Sequence, residues 1–114
     1  MMMRKMVNLD YVKVYITNIK NTVDRTRFSS GSFIFEETKF NFKSILFLDA
    51  FTETPNINVQ LTKMTEKKLI NEFKLDDVSI EQLIVNMQRK ILEGNVTIKG
   101  KALKQYENVG HEHE

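Results

Sequence analysis

There is no cysteine in the 114 residues. A disulfide framework, a thiolate zinc site and a cysteine nucleophile are all excluded. Histidine is almost as scarce, with His111 and His113 in the last four positions. Together with Glu112 and Glu114 they could ligate a metal, but a terminal tail after Gly110 does not fix a geometry, so no metal or cofactor is expected. The four glycines, Gly31, Gly94, Gly100 and Gly110, are scattered, so there is no phosphate loop or dinucleotide fingerprint. Ser29, Ser30 and Ser32 lie near Gly31 without a nucleophile-elbow pattern. The acidic pairs Glu36–Glu37 and Asp76–Asp77 are adjacent in sequence, whereas general acid–base chemistry needs carboxylates converging across a cleft. The chain reads as a non-enzyme.

Long apolar runs are missing too. Nothing approaches the ~20 residues of a membrane helix. After Met1–Met6, Asn8 and Asp10 interrupt any apolar leader. The expectation is a cytoplasmic protein with no membrane partner. Lysine outnumbers arginine thirteen to four, a bias of AT-rich coding sequence that fits phage or plasmid origins.

What is present is an ordinary globular composition, 41% hydrophobic and 28% charged. It suits one domain over residues 1–106, with 107–114 as a flexible tail. Six of the eight phenylalanines fall between Phe33 and Leu61. Alternation marks strands there. Phe33 and Phe35 share a face, as do Phe40, Phe42, Ser44, Leu46 and Leu48. Glu37–Lys39 is the expected hairpin connection. From Ile45 to Leu48 both parities are apolar, which predicts a central stretch covered on both faces. The only proline, Pro55, marks a turn, and Ile57, Val59 and Leu61 alternate beyond it.

Upstream, Val12, Val14 and Ile16 alternate with Lys13, Tyr15 and Thr17, giving a half-buried strand over about Val7–Ile19, with Ile19 one step out of phase. The polar run Lys20–Gly31 reads as a loop pinned by Val23 and Phe28. Residues Thr65–Leu75 fit either a short helix carrying Leu69, Ile70 and Phe73 or the second arm of a hairpin. The hairpin continues the meander and is preferred. Ser79 as N-cap, with Gln82 three residues on, opens a helix over Ile80–Glu93. Its apolar residues are Ile80, Leu83, Ile84, Met87 and Ile91, and Gly94 stops it. That face predicts a loss of about 2–5 kcal/mol for Ile84→Ala. A last strand is expected over Asn95–Leu103. The fold class is therefore α+β: a mainly antiparallel meander of five or six strands with one helix packed on one face.

Two surfaces suggest function. If Phe33, Phe35, Phe40 and Phe42 crowd a sheet face that one helix cannot cover, they would form a contact site for another protein or a second copy of the chain. This is the first reading: a small binding protein of the accessory or inhibitor kind found on phages and plasmids, possible as a homo-oligomer. The second is a sequence-tolerant nucleic-acid binder. Residues 1–30 carry six basic and two acidic side chains, and residues 94–106 three basic and none acidic. If the first and last strands are neighbours, Tyr11, Lys13, Tyr15, Lys99 and Lys101 share a face able to neutralise phosphates and stack bases. A pocket that sequesters a small ligand is the third class.

Overall fold

The computed structural model describes residues 8–22, 26–49 and 51–100. Five strands and two helices follow in the order β1 (Lys13–Asn21), β2 (Arg27–Phe35), β3 (Thr38–Leu48), β4 (Pro55–Leu61), α1 (Lys63–Phe73), α2 (Asp77–Leu92) and β5 (Thr97–Ile98). The sheet order is β4-β3-β2-β1-β5. The first four strands form an antiparallel meander, and β5 returns to lie parallel to β1, pairing Tyr15 with Thr97 and Ile16 with Ile98. The α+β class and the mainly antiparallel five-stranded sheet are as the sequence implies.

The strand alternation sorts the sheet into two faces. One carries Val12, Val14, Ile16, Phe33, Phe35, Phe40, Phe42, Ile57 and Val59, and both helices close over it with Leu69, Ile80, Leu83 and Met87. The preceding segment is tied down by α2. Buried Asn86 donates to the Leu9 carbonyl at 3.0 Å, Lys90 Nζ to the carbonyls of Asp10 and Val12 at 2.7 and 2.9 Å, and Arg89 pairs with Asp10 at 2.6 Å. On the far side, Gln88 Oε1 accepts the backbone N–H of Val59 at 2.9 Å, so α2 also shields the free edge of β4.

Several expectations are corrected. The segment from Thr65 is helix, not hairpin. Thr62 caps it, accepting the N–H of Thr65 at 3.1 Å. Leu69 and Phe73, four residues apart, then face the sheet, and the Phe73 ring meets Phe35 and Phe40 edge-on at 5.8 and 6.1 Å. The cap of α2 is Asp76 rather than Ser79: its carboxylate accepts the Ser79 N–H at 2.8 Å, which holds its pKa below the ordinary carboxylate value. Residues 27–31, expected in a loop, form the first half of β2. Phe28 does not pin a loop but stands half in solvent, and Val23 lies outside the described residues. The hairpin turn is Glu36–Glu37, not Glu37–Lys39, since Phe35 pairs with Thr38. Of the last strand only Thr97–Ile98 is ladder-paired, and 101–103 lie outside the described residues, as does the tail over 107–114.

The stretch Ile45–Leu48 is not covered on both faces: Ile45, Leu46 and Phe47 are half-buried and Leu48 is exposed, and Ile45 and Phe47 share the parity of Asn41 and Lys43, away from the helices. The buried centre is built by the inward residues of the earlier half, Phe33, Phe35, Phe40 and Phe42.

Two stability predictions arise here. The buried residues of α2 are Ile80, Leu83, Asn86 and Met87, while Ile84 is only half-buried. Leu83→Ala should therefore cost about 2–5 kcal/mol and Ile84→Ala clearly less, correcting the larger loss expected from sequence. Urea titrations of both variants check the order; equal losses would put the core-facing stripe elsewhere. The turn pair Glu36 and Glu37 has φ of 50° and 62°, the left-handed region at both positions of a two-residue loop. Asn and Gly are the residues that favour it, so Glu36→Asn/Glu37→Gly should stabilise by about 1 kcal/mol. A lower urea midpoint in the double variant would contradict that turn.

Candidate nucleic-acid interface

Among the described residues, the other face of the sheet carries no helix. Its composition follows from the register. Lys13 pairs with Ile34 and Ile34 with Lys39; Tyr15 with Ser32 and Ser32 with Asn41. Asn18, Ser30, Lys43 and Gln60 form the next row, then Lys20, Phe28, Ile45 and Asn58, and finally Phe47 with Asn56. Lys99 joins from just beyond β5, its backbone N–H donating to the Ile16 carbonyl at 2.8 Å. Five lysines thus share one face, all exposed, and no strand position on it holds Asp or Glu. The acids that border it lie in turns: Glu36 and Glu37 close the β2–β3 hairpin, two residues from Ile34 and Lys39, and Asp49 lies just past β3. Its carboxylate accepts the backbone N–H groups of Phe51 and Thr52, which lowers its pKa and commits it to its own loop.

A bulge makes this face possible. Ile16 pairs with Gly31 but Asn18 with Ser30, so Thr17 is an extra residue and the parity of β1 changes there. Before the bulge Lys13 and Tyr15 point to the open side. After it Lys20 does so, while Ile19 turns into the core. Without the slip Lys20 would face the helices.

The sequence-derived candidates divide as follows. Lys13, Tyr15 and Lys99 come together, with Lys99 Nζ standing 4.4 Å from the Tyr15 ring centroid. Tyr11, 72% exposed, precedes β1 and borders a cleft of about 230 Å³ with Lys90, Asn95 and Thr97. Lys101 lies outside the described residues. The four phenylalanines meant for partner contact are buried: Phe33 and Phe35 are 0% exposed, Phe42 2% and Phe40 5%. The open aromatic face is thus corrected to a core, because two helices rather than one cover it. An apolar hollow of about 310 Å³ lies between α2 and the sheet, bordered by Ile16, Ile19, Leu46, Ile57, Ile91 and Ile98. Glu36–Glu37 and Asp76–Asp77 serve the turn and the start of α2.

Lys20, Lys39, Lys43, Phe28 and Phe47 belong to the open face but were not singled out from sequence. The outward parity of Asn41 and Lys43 was legible; that it continued across to Lys20 was not, because the loop reading of 20–31 removed the strand between them. Lys68–Glu72 and Arg89–Asp10 form ion pairs, neither of them on the open face. Residues 63–93 hold six basic and six acidic side chains, so the helical layer is neutral. No family model, curated protein or solved structure matches the chain.

Proposed function

We propose that this protein binds nucleic acid, without strong sequence preference, through the open face of its sheet. The observation that carries the reading is the segregation of charge: Lys13, Lys20, Lys39, Lys43 and Lys99 on one uncovered surface with no carboxylate among its strand positions. Solvated sheet faces ordinarily mix both signs. A row of lysines facing amides and hydroxyls, here Asn18, Asn41, Asn58, Gln60 and Ser30, suits phosphate neutralisation with weak, sequence-tolerant hydrogen bonding. The formal net charge of +2 is small, but the surplus is concentrated where a polyanion would meet it. The alternative as a protein-contact module relied on Phe33, Phe35, Phe40 and Phe42 being open, and those four are core.

A fluorescent oligonucleotide titrated at several salt concentrations tests this. If all five lysines meet phosphates, log K should fall against log salt with a slope of about −3.5, or about a hundredfold between about 50 and about 200 mM. Lys43→Ala should flatten the slope by about 0.7. No binding at the lower salt, or binding indifferent to salt, overturns the proposal.

A further inference from the structure

Charge does not distinguish a duplex from a single strand, but the shape of the open face does. The outward residues of β2 are Phe28, Ser30, Ser32 and Ile34. The serines are short, and Ser32 is buried beneath its neighbours, so the middle of β2 is the floor of a shallow trough. Lys13, Tyr15 and Lys20 rise along the β1 side, and Lys39, Asn41 and Lys43 along the β3 side. The two walls stand two strand spacings apart, about 10 Å. That width admits one sugar–phosphate chain between two lines of ammonium groups.

The trough ends in an aromatic corner. Phe28 is 42% exposed, although its neighbours across both ladders are Lys20 and Ile45, and Phe47 stands two positions beyond Ile45. A large ring left half in water beside lysines suits the face of an unpaired base. The tyrosine that composition suggested for stacking is less free: the Lys99 ammonium stands over the Tyr15 ring, so that pair presents a cation. A duplex would touch the lysines but keep its bases stacked within, leaving Phe28 unused.

We infer that the ligand of this face is single-stranded nucleic acid, its backbone lying along β2 between the lysine walls and one unpaired base stacked on Phe28. This rests on the reading that the face binds nucleic acid. The experiment compares the wild-type protein, Phe28→Ala and Phe28→Trp, each titrated with labelled oligothymidylate of about a dozen nucleotides and with a duplex of equal length at one low salt concentration. Light scattering is run on all three proteins. The expected result is preference for the single strand, a loss of about five- to a hundredfold in its affinity for Phe28→Ala, unchanged duplex affinity, and recovery in Phe28→Trp. If neither oligonucleotide binds, the nucleic-acid reading falls and this inference with it. If both bind equally and Phe28→Ala changes neither, the charged face stands and the stacking site is overturned. If Phe28→Ala instead converts a dimer to a monomer and leaves oligonucleotide affinity unchanged, the corner is a contact between copies, which also overturns the inference.

Discussion

Replacing Gly31 by alanine should cost at least about 3 kcal/mol, the upper end of what overpacking does. The reason is local and geometric. Gly31 faces Ile16 at the bulge, where two residues of β1 oppose one of β2. A Cβ on Gly31 would stand 1.8 Å from the carbonyl oxygen of Tyr15, 2.9 Å from its carbonyl carbon and 3.0 Å from the Cα of Ile16. All three are backbone atoms, so no side chain can swing aside. The strands would have to part, and β1 joins β2 to β5 and supplies Val12, Val14 and Ile16 to the core. Against a typical domain stability of 5–15 kcal/mol, such a loss threatens folding at physiological temperature. Urea titration of Gly31→Ala beside Ser30→Ala, whose side chain lies on the open face, measures it. A loss for Gly31→Ala under about 1 kcal/mol would mean that the strands do not approach this closely.

Phe33→Ala should be comparably severe, about 3–5 kcal/mol. The ring is fully buried, stacked on Phe40 with centroids 5.2 Å apart and tilted against Phe42 at 6.4 Å. Phe40 in turn meets Phe73 of α1, so the cluster joins sheet to helix. Removing the ring leaves a cavity and takes away two aromatic contacts at once. Phe33→Leu keeps most of the volume and should lose much less. The pair also distinguishes a core from a contact surface. If Phe33 is core, both variants lose stability in proportion to the cavity, and any protein still folded binds oligonucleotide as before. If Phe33→Ala kept its stability while changing the mass in light scattering, the ring would be at an interface.

Much of the fold is legible in the sequence, because alternation with period two is a direct imprint of a half-covered sheet. The out-of-phase Ile19 was visible as an irregularity; its cause, an extra residue at Thr17, is a pairing property and needs the partner strand. Ser29, Ser30 and Gly31 carried loop chemistry. In the fold their smallness serves something else: Gly31 allows the close approach, and Ser29 and Ser44 hydrogen-bond hydroxyl to hydroxyl across β2 and β3. That misreading hid half of β2 and with it the lysine face. Thr65–Leu75 was undecidable locally, since its few apolar residues satisfy both periods. Thr62 as cap and the docking of Leu69 and Phe73 on the phenylalanine cluster decide it. Ile45–Leu48 followed the rule for a doubly covered strand, but its outward residues, Ile45 and Phe47, lie on the face away from the helices. The nucleic-acid candidates near Tyr15 came from charge counting, which found the edge of the surface and missed its middle.

The neutral helical layer beneath a lysine-bearing sheet has a kinetic consequence. With six charges of each sign over residues 63–93 and five lysines on the opposite side, the positive charge of these elements sits off-centre, on the sheet side. In a polyanion's field the molecule experiences a torque before it experiences much net pull, and within the ~10 Å reach of electrostatics at 0.1 M salt it turns its sheet toward the charge. Encounters would begin already oriented, so arrival would be faster than a net charge of +2 suggests.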